Sequence, residues 1–296
     1  MPDSRAEPIV KIRGLRHTFG AGSVRPVHAL DAIDLDIFQG EYLAILGHNG
    51  SGKSTLARHL NVLLVPTEGE VYVRGMDTRL PQNVLPIRRC VGMVFQVPDN
   101  QIVASVVEED VAFGAENLGV PEPELHERVE WALAAVGMLT FRDREPHRLS
   151  AGQKQRVALA GVMAMKPDVL VLDEATSMLD PEGRSQVLSA VRSLNQNEGT
   201  TVVAITHLMD EAVEAGRVIV LQRGRIALEG PPHNVLTQVE QMRTLQLDVP
   251  QAAELSWLLH QREPSIPGDL LTVREVVEGV RLHAETHTNG RQQPTT

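Results

Sequence analysis

At 296 residues, 42% hydrophobic but only 3% aromatic, the chain can bury one full α/β core and a smaller appendage, resting on Val, Leu, Ile and Ala. Its 38 acidic residues against 28 basic give a net charge of −10, which argues against a general nucleic-acid binder while leaving room for a local basic patch. One cysteine, Cys90, excludes an internal disulfide and fits a reducing cytosol, and no apolar run approaches the ~18 residues of a membrane span. Met1 to Pro8 has no apolar stretch of the signal-peptide kind, so any membrane role is expected to be peripheral, through protein partners.

Residues 9 to 15 alternate apolar and polar and predict a half-buried strand, with Phe19 just beyond it. A lone Phe there is either core or a platform for an adenine ring. Leu30 to Phe38 predicts a second strand, and Tyr42 to Leu46 is an apolar run leading into Gly47-His48-Asn49-Gly50-Ser51-Gly52-Lys53-Ser54-Thr55. Strand, glycine loop and a helix over Thr55 to Leu64 are the setting of the P-loop. Its glycines turn backbone N–H groups inward, the helix points its positive end at phosphates, Lys53 pairs with the β- and γ-phosphates, and the Ser54 hydroxyl suits Mg²⁺.

Glu70 to Arg74 predicts another strand, and Val91 to Phe95 one buried on both faces, ending at Gln96, where an open α/β sheet meets its ligand. From about Val106 to Ala164 the pattern turns helical: Leu125, Val129, Leu133 and Val136 follow helical spacing, with Gly137 as C-cap. Near its end Ser150 is a plausible N-cap, and the Gly152 backbone is able to approach an anion. Val169 to Leu172 is a buried strand tipped by Asp173 and Glu174: the first suits Mg²⁺ through its water shell, the second accepts a proton from an attacking water. Asp180-Pro181 starts a helix, Thr201 to Thr206 is a strand ending at His207, and Arg223-Gly224 sits in a hairpin. Past Pro231-Pro232 two amphipathic helices are expected, around Ala252 to His260 and Val273 to Leu282, the second with a Thr272–Glu275 capping box. Residues 285–296 are polar and expected to be disordered.

Together the P-loop, Gln96, Leu149 to Gln153, Asp173-Glu174, Ser177 to Asp180 and His207 resemble the ATP-binding-cassette ATPases, in order and approximate spacing, over about residues 9 to 235. The runs Phe95 to Gln101 and Val107 to Gly114, with Arg144-Glu145-Pro146 and Gly152 to Arg156, are similar to the ATPases of energy-coupling-factor transporters, importers of vitamins and transition metals. The resemblance implies an α/β fold: a P-loop ATPase core sheet with an antiparallel β subdomain, a helical subdomain inserted at about 97–165, and a short helical extension at 236–284 for dimerisation, after a nucleotide-binding domain at 1–235. It implies an ATP site of Phe19, Gly47, Asn49, Gly50, Ser51, Gly52, Lys53, Ser54, Thr55, Gln96, Ser150, Gly152 and Gln153. Mg²⁺ falls to Ser54, Gln96 and Asp173, and catalysis to Glu174 and His207.

The implied partners are a second ATPase, either this chain or a paralogue, a transmembrane coupling subunit and a substrate-binding membrane subunit, at the cytoplasmic face of the membrane; no nucleic acid is expected. Ala151 replaces the usual second glycine of the signature, and Phe19 stands where Tyr is common. The rival readings are another import or export cassette and a soluble cassette acting on DNA or ribosomes. The transported substrate stays open.

Overall fold

The computed structural model describes residues 7–289. In chain order the elements are β1 (Val10–Phe19), β2 (Val27–Ile37), β3 (Tyr42–Leu46), α1 (Lys53–Leu60), β4 (Glu68–Val73), β5 (Met76–Asp77), α2 (Val84–Cys90), β6 (Val91–Val94), α3 (Val107–Asn117), α4 (Glu122–Ala135), α5 (Ala151–Ala164), β7 (Val169–Asp173), α6 (Pro181–Glu198), β8 (Thr201–Ile205), α7 (Met209–Val213), β9 (Arg217–Gln222), β10 (Arg225–Gly230), α8 (Pro232–Leu236), α9 (Val239–Thr244), α10 (Gln251–Arg262) and α11 (Val273–Asn289).

The strands fall into two sheets. An antiparallel one runs β2-β1-β4-β5, and a second runs β10-β9-β3-β8-β7-β6, parallel except for the β10 edge. Successive residues of a strand point to opposite faces, and both faces of the second sheet are covered. Leu43 and Ile45 of β3, Val169 and Val171 of β7, and Val203 and Ile205 of β8 pack with α1 and the antiparallel sheet. Ala44, Leu46, Leu170, Leu172, Val202 and Ala204 pack with the helices α3 to α6 and the C-terminal ones. Burial on both sides is why these strands read as unbroken apolar runs instead of alternating ones.

Several expectations need correcting at their edges. β1 does not stop at Leu15: irregularities of its pairing with β2 near Gly14 and His17 break the alternation while the strand continues, so Phe19 is its last residue, opposite Val27. The phosphate-loop helix begins at Lys53 and ends at Leu60, where Asn61 takes over. Pro231-Pro232 is followed at once by α8, with Pro232 at a first helical position, and by α9, two short helices too brief to show a period. α11 runs on to Asn289, so residues 285–289, expected to be disordered, are helical, with Arg281 and Glu285 3.9 Å apart one turn on. Residues 290–296 of that expected tail lie outside the described residues.

Candidate nucleotide site

The glycine loop joins β3 to α1. Gly52 is the N-cap of α1 at φ +107°, and a Cβ there would stand 2.6 Å from the Ala29 carbonyl and 2.8 Å from Leu30, so only glycine fits. Among the described residues no side chain caps α1 and no acid lies in its first turn, which leaves its first N–H groups without a side-chain or intrahelical partner. Lys53 is buried, 5% exposed, and its ammonium donates to the carbonyls of Gly47 (2.7 Å) and His48 (3.1 Å). Burial pushes its pKa down, against the pull of Glu174 and Asp173. The Ser51 hydroxyl is buried and without a hydrogen-bond partner among the described residues. These features suit an anion.

The strand ends bring the other predicted side chains to the same edge. β3, β8, β7 and β6 are parallel neighbours in register, Ile45 beside Ile205, Ile205 beside Asp173 and Leu172 beside Val94. Ser54 Oγ donates to Asp173 Oδ1 at 2.8 Å. Burial raises the Asp173 carboxyl above its ordinary range, opposed by that hydrogen bond. Gln96 Nε2 donates to Glu174 Oε2 (3.0 Å), and His207 Nδ1 stands 3.7 Å from the same oxygen. Glu174 takes φ +52°, a left-handed conformation costing about 1–2 kcal/mol for a residue with a Cβ. Its N–H donates to Ile205 O, and its carbonyl accepts from Ser177 Oγ (2.8 Å), which hold the turn in place.

Ser150 to Gln153 do not join this cluster: among the described residues no hydrogen bond links them to the glycine loop. They form a closed capping box at the start of α5, Ser150 Oγ accepting from Gln153 N–H and Gln153 Oε1 from Ser150 N–H. A Cβ on Gly152 would stand 3.3 Å from the Met178 carbonyl, so the glycine lets α5 seat against the Ser177 to Asp180 loop.

A model of the ABC transporter family matches residues 30–177. The energy-coupling factor transporter ATP-binding protein EcfA1 of Symbiobacterium thermophilum is 54% identical over 277 residues, 92% of this chain and 96% of that protein. Its namesake from Caldanaerobacter subterraneus subsp. tengcongensis is 51% identical over 270 residues, 91% of this chain and 98% of that one. The chain belongs to the energy-coupling-factor ATPases, a branch of the ATP-binding cassettes. Its fold is similar to that of cbiO1 from Clostridium perfringens, part of the ABC transporter complex cbiONQ: TM-score 0.71, 37% identity, 84% of this chain and 98% of that one. The cassette MJ0796, solved as a dimer with ADP and Pi, is similar at TM-score 0.70 and 31% identity, over 75% of this chain and 98% of that one. As a member of this family the chain is an ATP-hydrolysing transport enzyme.

Several residues that tie this edge together stand in the runs that carry the resemblance, or outside them, without a role assigned from sequence. Gln155 Nε2 donates to Phe95 O (2.9 Å), Gln101 bridges Phe95 N–H and Ala158 O, and Lys154 pairs with Asp99 at 2.5 Å, so α5 is tied to the loop carrying Gln96. Glu211 of α7 is buried and accepts from the Thr176 hydroxyl, joining the segment after His207 to the segment after Glu174. The signal available for Glu211 was its place four residues after His207. Its burial depends on packing that no local pattern carries.

Proposed function

We propose that this chain is the ATP-hydrolysing subunit of a membrane importer for vitamins or transition-metal ions, acting as one of two ATPases paired head to tail. The observation that carries the reading is the separation of the site into two parts: Lys53, Ser54, Gln96, Asp173, Glu174 and His207 gather at one sheet edge, while Ser150 to Gln153 stand apart. In the pair, the glycine loop of one copy (Gly47, Asn49, Gly50, Ser51, Gly52, Thr55) wraps the phosphates and Lys53 pairs with the β- and γ-phosphates. Ser150, Gly152 and Gln153 of the other copy close over the same ATP, and Phe19 stacks on the adenine.

Mg²⁺ fits the donors present. The Ser54 hydroxyl and the Gln96 amide oxygen are ligands a hard cation takes, the Asp173 carboxylate would hold the ion through its water shell, and burial raises the Asp173 carboxyl, which a cation would offset. When bound, the ion supplies neutralisation of charge on the β- and γ-oxygens. Glu174 orients or deprotonates the attacking water. Gln96 holds its carboxylate in place at 3.0 Å, and His207, beside the same oxygen, faces the γ-phosphate. Hydrolysis then removes contacts made only in the closed pair, and the equilibrium returns to open.

The membrane subunits ride on the helical layer near Gln96 to Gln101, whose ties to α5 pass motion to the signature. Among the described residues no helix is long and apolar enough to cross a membrane, which agrees with a peripheral place on the cytoplasmic face. Val273, Val277 and Val280 of α11 are exposed and share one face of the helix, an apolar stripe suited to pairing through the C-terminal helices, while Val276 beside them is buried. The test is ATPase rate against protein concentration together with the oligomeric state. Dilute monomers are expected to bind ATP and hydrolyse it poorly, with specific activity rising as pairs form; full activity in a proven monomer overturns the reading.

A further inference from the structure

Phe19 does not stand alone at the end of β1. Its ring meets that of His17 edge to face, centroids 4.5 Å apart at 71°, and His17 meets His59 of α1 in the same manner at 4.8 Å and 75°. His17 and His59 are both buried, while Phe19 keeps 41% of its surface open. His59 Nδ1 lies 2.7 Å from the Thr55 carbonyl, which only accepts, so this nitrogen carries the proton of the neutral ring. The bare Nε2 of His59 then accepts from His17 Nδ1–H at 3.2 Å. Burial, which pushes His59 down to about 4, keeps the ring neutral and this pattern intact.

The chain of contacts therefore runs from the exposed Phe19 ring through His17 and His59 to the backbone of Thr55, in the first turn of α1 directly after the glycine loop. It crosses from the antiparallel sheet to the phosphate-binding helix. The hydrogen bond to His59 fixes the His17 ring plane, and the edge-to-face contact passes that orientation to Phe19. We propose that His17 is a positioning residue for the nucleotide base: it sets the pose of the Phe19 ring relative to the phosphate loop. The inference rests on the reading of Phe19 as the adenine platform, and it deepens that reading by naming what holds the platform.

The test measures binding of ATP and of inorganic tripolyphosphate, which has the phosphates but no base, to the full chain and its variants by calorimetry. Phe19→Ala is expected to weaken ATP by about 5- to 150-fold, the worth of one base–aromatic stack, and to leave tripolyphosphate unchanged. His17→Ala is expected to weaken ATP by about threefold to tenfold, again sparing tripolyphosphate, and to add nothing in the Phe19→Ala background. His17→Asn keeps a donor for His59 and so protects the fold; ATP is expected to weaken in it as in His17→Ala, because the ring is gone. Equal loss of both probes in the His17 variants, full ATP affinity in either, or additive losses with Phe19→Ala overturns the proposal. An unchanged ATP affinity in Phe19→Ala instead removes the platform itself, an outcome separate from failure of the His17 link.

Discussion

The two halves of the nucleotide site both begin at helix N-termini, and the two ends are built in opposite ways. α1 opens at Gly52 with no capping side chain, no acid in its first turn, a buried Lys53 and an unpartnered Ser51 hydroxyl. α5 opens at Ser150 with both arms of its capping box closed and its first residues exposed to solvent. The first end is short of an anion and gains most from binding one. The second has its Gln153 N–H taken up by Ser150, so what it has left to offer is the Ser150 hydroxyl proton, the N–H groups of Ala151 and Gly152 and the close backbone approach at Gly152. In the proposed head-to-tail pair, affinity for the phosphates would accordingly belong to the α1 half, and closure over them to the α5 half of a neighbour.

The largest way to press on this division is Glu174→Gln, which leaves both helix ends intact but removes the proposed base. Phosphate release is expected to fall by about 10²–10⁴-fold with ATP binding and pairing retained; lost binding would take Glu174 out of that role. Lys53→Ala attacks the α1 half and is expected to cost about 2–5 kcal/mol of ATP affinity by calorimetry. An unchanged affinity removes the glycine loop from the phosphate half.

His59 tests the support behind α1. Its folded pKa, about 4, lies below the ordinary 6.5, so its contribution is present above about pH 6.5 and lost as pH falls toward 4. Chemical denaturation is expected to show a loss of up to about 3 kcal/mol over that window in the parent chain and a smaller one in His59→Asn. Equal pH dependence in both would mean that the imidazole is not held neutral. The smallest effect falls on the α5 half: Ser150→Ala is expected to lower stability by about 1 kcal/mol, to leave ATP affinity of the dilute chain within about twofold, and to slow hydrolysis at pairing concentrations. A matching loss of ATP affinity in the dilute chain would erase the distinction between the halves.

Much of this site is readable along the chain because a parallel sheet delivers its chemistry at strand ends. Leu46, Val94, Leu172 and Ile205 each close an apolar run, and the polar residues that follow, Gly47, Gln96, Asp173-Glu174 and His207, share one edge by topology alone. The N-cap expected at Ser150 and the capping box expected at Thr272 are equally local, and both are present, the first extended to a full box by Gln153. Phe19 was harder, because an irregular strand blurred the alternation that would have placed it on β1.

What the sequence by itself determined was the identity of the chemical groups and their order: a glycine loop, a pair of carboxylates, a signature with a cap, and a family. Those are properties of short segments, where residue type and spacing are the physical cause. The tertiary structure alone decided the left-handed turn that aims Glu174 at Gln96 and His207, the buried Glu211–Thr176 contact, and the His17–His59 bridge between two layers. Each joins residues far apart in the chain, so it exists only when the layers close; at the buried Glu211–Thr176 and His17–His59 contacts the exclusion of water makes an unpartnered polar group costly and so fixes the pairing.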